Sequence, residues 1–164
     1  MTTVTQLDEN NNVYFDFDDY KASQEVTKVF VHVASHLIRQ GRASMRPDGL
    51  CMYRQDTFDG LLMCAVGCLI QEDKYSEKLE GEPIYNKAVQ EALPDWARSR
   101  DALRMLRALQ YMHGRSPTKA WPTLLYGIGL AFGVNKADIQ AAGVSIGLEL
   151  VNNKFVLRED IGFS

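Results

Sequence analysis

The sequence predicts an α+β fold of four to five helices, with short antiparallel β-hairpins near the N-terminus, in the middle and near the C-terminus. Three observations carry this expectation. Apolar residues recur at three- and four-residue spacing in several separate windows. Val13, Phe15 and Phe17 alternate with polar neighbours. Asp59-Gly60 and Asn152-Asn153 are turn pairs set between apolar runs.

The elements follow in chain order. Residues 3–17 read as a hairpin, its two arms separated by Glu9-Asn10-Asn11-Asn12, with an acidic outer face. Val26, Val29, Phe30, Val33, Leu37 and Ile38 then form the apolar stripe of a helix. Asp18, Asp19 and Ser23 offer N-terminal caps for it, and Gly41 closes it. Arg46-Pro47-Asp48-Gly49 has turn composition, and Leu50–Arg54 with Leu61–Cys64 predicts a second hairpin over 50–64. Periodicity cannot type the apolar run Leu61–Ile70, although Gly67 in its middle points to a tight bend or close packing.

A short helix is expected over Tyr75–Glu80, and modest helical character over Ile84–Leu93. Ser99 caps a helix over Arg100–His113, which Gly114 stops. Another helix runs from Pro117 to about Phe132, and Asn135 caps a short one through Ala142. The last hairpin pairs Ile146–Val151 with Lys154–Arg158. One globular domain over 1–164 is expected, with 1–17 and 145–164 as terminal hairpins.

Composition narrows the class. The chain has 164 residues, 18 Lys+Arg, 21 Asp+Glu and a net charge of −3. No apolar run reaches the roughly 20 residues a membrane span requires. The beginning of the chain has neither a basic region nor an apolar signal core, which predicts a cytoplasmic protein. An odd cysteine count fits free thiols in a reducing compartment.

One set of motifs is shared with known sequences. Gly41-x-x-Ser44, Asp48-Gly49-x-Cys51-x-Tyr53-Arg54, Cys64-Ala65-Val66-Gly67-Cys68-Leu69-Ile70, Tyr75, Glu80-Gly81 and Leu109-Gln110-x-x-His113 resemble a group of small uncharacterised proteins of tailed bacteriophages and prophages. The resemblance spans residues 25–130. The group carries no established activity, so no catalytic residue transfers. The resemblance implies a bacterial cytoplasm during infection and an accessory role, such as binding and disabling a host component. The turn over Gln55–Gly60 is longer than in the group, and Gln71 stands where a proline is common.

Candidate chemistry is sparse. Cys51, Cys64, Cys68 and His113 could supply four ligands to zinc, but no Cys-x-x-Cys knuckle exists, and cysteines amid Leu, Val and Ile read first as core. No cofactor is therefore expected, with zinc as the weaker alternative. His32 and His36 stand one helical turn apart without further ligand context. The stretch 125–142 has helix-turn-helix spacing, yet its second helix carries Lys136 as its one base, which argues against nucleic acid. No phosphate loop, zinc-protease or nucleophile-elbow motif is present.

Arginine placement says more. Nine of the ten arginines fall in two windows, Arg39–Arg54 and Arg98–Arg115. Arg100, Arg104 and Arg107 share one face of the expected helix. Guanidinium groups fork onto carboxylates and phosphates and anchor interfaces. Two functions lead as expectations, with a metal-stabilised or thiol-dependent enzyme third. The first is non-enzymatic binding of a host bacterial protein, through the Arg100/Arg104/Arg107 face or the acidic hairpin with Tyr14, Asp16 and Asp18. The alternative is capture of a nucleotide or other anionic small molecule, with Arg54 joining these arginines and Tyr53 or Trp121 stacking on the base.

Overall fold

The computed structural model describes residues 21–144, together with four backbone strand segments at the ends, Thr5–Leu7, Val13–Phe15, Leu148–Val151 and Lys154–Leu157. The expected terminal hairpins turn on residues 8–12 and 152–153, which lie outside the described residues.

Between these limits the chain is mixed α+β, with five helices and one central two-stranded hairpin. Helix α1 (Gln24–Gln40) is the pillar. Ser23 accepts from the Val26 N–H at its start, as its position predicts, and Gly41 ends it. Val26, Val29, Phe30, Val33, Ala34 and Leu37 are all buried on one side. Helices α3 (Arg100–Arg115), α4 (Trp121–Ala131) and α5 (Lys136–Ala141) pack against that side. Helix α2 (Lys87–Ala92) is a short segment before α3. The buried residues of all these segments form one continuous core. No helix among the described residues is long and apolar enough to cross a membrane.

The other face of α1 is polar and grips the central apolar segment. His36 donates to the Met63 carbonyl at 2.9 Å, and His32 lies 3.2 Å from the Cys68 carbonyl. Gln40 closes a two-way bond with the Met63 backbone, at 3.0 and 2.9 Å. Residues 32, 36 and 40 sit one turn apart, so a single row of side chains fixes residues 63–68.

The central hairpin pairs Gln55–Thr57 with Gly60–Leu62, further along the chain than the 50–64 expectation placed its first arm. The shift has a local cause. The N–H groups of Tyr53 and Arg54 donate to the two oxygens of Glu80 at 2.8 and 3.0 Å, so that carboxylate replaces a strand partner. Only the Met45–Cys51 bridge remains of strand character there. The apolar run Leu61–Ile70 leaves the hairpin at Leu62 and ends in a 3-10 turn over Gly67–Leu69. A Cβ at Gly67 would lie 2.0 Å from the Tyr53 carbonyl oxygen, so this glycine both opens the turn and packs closely against backbone.

Two further expectations are corrected. Residues 71–82 form two 3-10 turns, Glu72–Lys74 and Glu77–Leu79, instead of a helix over Tyr75–Glu80. Glu80 there serves the 53–54 backbone and accepts from the Tyr75 hydroxyl at 2.6 Å. Gly114 does not stop α3, which continues to Arg115. A Cβ at Gly114 would meet the Cys51 sulfur at 2.9 Å, so this glycine lets the helix pass that side chain.

Candidate functional site

Among the described residues, α3 borders two clefts. The N-terminal end of α3 is capped by Ser99, whose hydroxyl accepts from the Ala102 N–H. Its inner face buries Ala102, Met105, Leu106, Leu109 and Met112. The opposite face carries Arg100, Arg104, Arg107, Tyr111 and Arg115, all exposed, at successive spacings of four, three, four and four. A helix of this length extends about 24 Å. The five side chains thus make one cationic and aromatic ridge.

The ridge is internally ordered. The Arg107 guanidinium lies 5.0 Å over the Tyr85 ring, and Arg115 lies 4.9 Å over Tyr111. Both tyrosines are exposed. Among the described residues Arg100, Arg107 and Arg115 enter no ion pair, and Arg104 has only Asp101 at 4.0 Å. An exposed contact of that length is worth at most a fraction of a kcal/mol. The charge of the ridge is therefore available to a ligand.

On one flank, α3 and α4 leave an apolar groove of about 560 Å3. Met112, Leu124, Ile128 and Phe132 line it, and Arg104 and Arg107 stand on its border. On the other flank a cleft of about 480 Å3 is lined by Cys51, Tyr53, Val66 and Ile84, with Arg107, Tyr111 and Arg115 beside them. A third cleft, of about 680 Å3, carries mixed charge. Its Arg98 donates to the carbonyls of Glu91 and Leu93, and its Lys74 to that of Glu91, so these cations cap a helix end.

The first arginine window is engaged within the fold. Arg42 forks onto Asp59 at 2.8 and 2.9 Å, and Arg46 pairs with Asp48. Arg54 forks onto Glu72 at 2.9 and 2.8 Å while its guanidinium stacks 4.3 Å over Tyr75. Tyr53 is buried, and its hydroxyl donates to the Glu82 carbonyl. Burial and the neighbouring Cys64 and Glu80 push that hydroxyl well above its ordinary pKa. Trp121 is buried against His113, and its ring N–H reaches the Ser116 carbonyl at 3.3 Å. Arg54, Tyr53 and Trp121 are thus held in place by internal partners, although Tyr53 also lines the cleft beside Arg107 and Arg115. Tyr85 and Tyr111 stand where stacking partners are available. The Tyr14 side chain, Asp16 and Asp18 lie outside the described residues.

The cysteines divide. Cys64 is buried, accepts from Gln110 at 3.3 Å and from the Gly67 N–H at 3.4 Å, and burial raises its thiol to about 12. The Cys68 thiol donates to the Ala65 carbonyl at 3.1 Å. Cys51 lies 3.5 Å from His113 Nδ1, a contact with the outline of a catalytic pair. Its polarity is the reverse. The Ser44 N–H donates to His113 Nε2 at 3.0 Å, which places the ring proton on Nδ1, facing the sulfur. Such an imidazole cannot take the thiol proton without becoming a buried cation, and burial already lowers its pKa to about 4. Burial also raises the Cys51 thiol. The pair is a hydrogen-bonded core contact. Among the described residues no three His, Cys, Asp or Glu side chains gather as a metal set; Cys51 and His113 contact each other, while Cys64 and Cys68 bond elsewhere.

Sequence reasoning found Arg100, Arg104 and Arg107 from their spacing. It left both tyrosines out of the candidate residues, and Tyr85 meets Arg107 only through the fold. The exposed 107/111/115 spacing was the available signal for Tyr111. No protein-family model matches the chain, and no curated protein or solved structure matches it.

Proposed function

We propose that this chain is a phage-encoded accessory protein that binds and modulates a host bacterial protein without turning over a substrate. The observation that carries the reading is the ridge of Arg100, Arg104, Arg107, Tyr111 and Arg115, largely free of carboxylate partners and bordered by an apolar groove. Arginine and tyrosine dominate the energetics of protein interfaces, because each brings area and directed polar contacts. Their concentration on one helix of a net-acidic chain fits a partner with an acidic, partly apolar face. Phage origin rests on the motif resemblance over residues 25–130.

Double reversal, Arg104→Glu with Arg107→Glu, tests this reading. Both side chains are exposed, so the fold tolerates the change. Affinity capture from bacterial lysate should yield a partner with the native chain and lose it with the variant. Equal capture by both would refute the assignment of the ridge.

A second reading is supported by the cleft beside Cys51. Arg107 and Arg115 flank it with an exposed tyrosine, which suits a phosphorylated aromatic ligand such as a nucleotide. Calorimetric titration with nucleoside monophosphates should then give heats that vanish in Arg107→Ala/Arg115→Ala. Absence of heat with the native chain would remove this alternative.

A further inference from the structure

The exposed large hydrophobic side chains among the described residues fall in two zones. Leu50, Phe58 and Leu61 belong to the central hairpin and the turn leading into it. Tyr85, Tyr111 and Leu124 border the ridge and its groove. We propose that the two zones are each other's occupants between copies of this chain: the Phe58 tip of one copy seats in the α3–α4 groove of a second copy.

Phe58 is the sharper of the two observations. It stands at the hairpin tip with its whole side chain in solvent, covering nothing of its own fold. The tip around it is fixed. The Thr57 hydroxyl bonds to Asp59 at 3.0 Å and to the Gly60 carbonyl at 2.5 Å, and Arg42 forks onto Asp59 from the end of α1. An apolar ring displayed on an ordered turn loses little freedom when it docks.

The groove offers what that ring lacks. Its floor of Met112, Leu124, Ile128 and Phe132 is apolar and includes a thioether and an aromatic ring, both favourable neighbours for a phenyl group. Its volume of about 560 Å3 is ample, since a cavity of about 150 Å3 can already hold a benzene ring. Charge agrees with shape. Asp56 and Asp59 flank Phe58, and Asp56 has no ion pair among the described residues. Arg104 and Arg107 stand on the groove border. The hairpin contributes no residue to the groove of its own copy. Reciprocal insertion closes a two-fold dimer, while one-way insertion propagates into longer assemblies. A single such contact is small, so association is reversible and depends on concentration.

The inference uses the groove of the partner reading but stands without any foreign partner. Self-association would cover that groove until a partner displaces it. Sedimentation velocity over a roughly hundredfold concentration series tests it. The native chain should show a weight-average coefficient that rises with concentration and falls back in high salt. Phe58→Ala, which removes a ring that touches nothing in its own fold, should sediment as a monomer throughout. Leu124→Glu, which puts a carboxylate into the groove, should do the same. An equimolar mixture of the two variants should recover a complex, since one retains the knob and the other the groove. A native chain that stays monomeric overturns the inference, as does a Phe58→Ala variant that associates like the native chain. Neither result bears on capture of a host protein, which is read with the Arg104→Glu/Arg107→Glu variant.

Discussion

The buried imidazole of His113 links this fold to pH. Its pKa drops to about 4 because burial disfavours the charged ring, whereas an unfolded chain leaves it near 6.5. Between those values the unfolded chain binds the extra proton. Stability is therefore full above about pH 6.5, declines as pH falls and levels off near pH 4 for this group. The span corresponds to about 3 kcal/mol. His36, lowered chiefly by burial, adds a contribution of the same sign. Urea denaturation from pH 7.5 to 4.5 should show the loss, and His113→Gln should flatten the dependence at some cost in stability at neutral pH. Equal slopes for the two chains would reject this account of His113.

Glu80 is the other residue whose role reaches past its neighbours. It accepts from the Tyr53 N–H, the Arg54 N–H and the Tyr75 hydroxyl. Replacing it with Ala strands two backbone donors, so a loss of about 1–3 kcal/mol is expected in equilibrium denaturation. A change under half a kcal/mol would mean that water replaces the carboxylate without penalty. These partners also explain a limit on sequence reading. Tyr53 and Arg54 look like strand residues, but the acceptor that takes their N–H groups lies almost thirty positions downstream.

At the scale of elements, what was legible was what is local. The extent of α1 follows from apolar spacing, whereas α4 starts at Trp121, behind a 3-10 turn over Thr118–Ala120, and not at Pro117; the starts of α1, α3 and α5 follow from Ser23, Ser99 and Asn135, each of which accepts from a backbone N–H. The central segment was not legible, because distant chain fixes it. His32, His36 and Gln40 hold residues 63–68 from α1, and Gln110 accepts from the Val66 N–H from α3. Gly114 was misread as a helix stop for the same reason, since its purpose depends on Cys51, more than sixty positions away. Gly67 gives the sharpest element-scale prediction. An added methyl would sit 2.0 Å from the Tyr53 carbonyl oxygen, and that atom is backbone. Gly67→Ala should destabilise by about 1–3 kcal/mol or more, as overpacking does. A melting temperature unchanged from the native chain would contradict the contact.

Across the whole molecule, charge is sorted by location. Arg42, Arg46 and Arg54 of the first window pair with Asp59, Asp48 and Glu72 around the central hairpin and its flanking turns, while Arg39 donates to the Ser35 carbonyl. Those of α3 face outward. The sequence showed both windows as equal, since pairing depends on which carboxylates the fold brings near. That division is why the partner surface is assigned to α3 rather than to the site with Arg54 and Tyr53 that spacing alone allowed.

The most direct measurement is quantitative capture from bacterial lysate with the native chain and the Arg104→Glu/Arg107→Glu variant side by side, each checked for equal melting temperature. A partner retained in fixed ratio by the native chain, lost by the variant and released by raised salt is the expected result. Retention of the same partner by both chains, or of none by the native chain, would contradict the ridge as a binding surface.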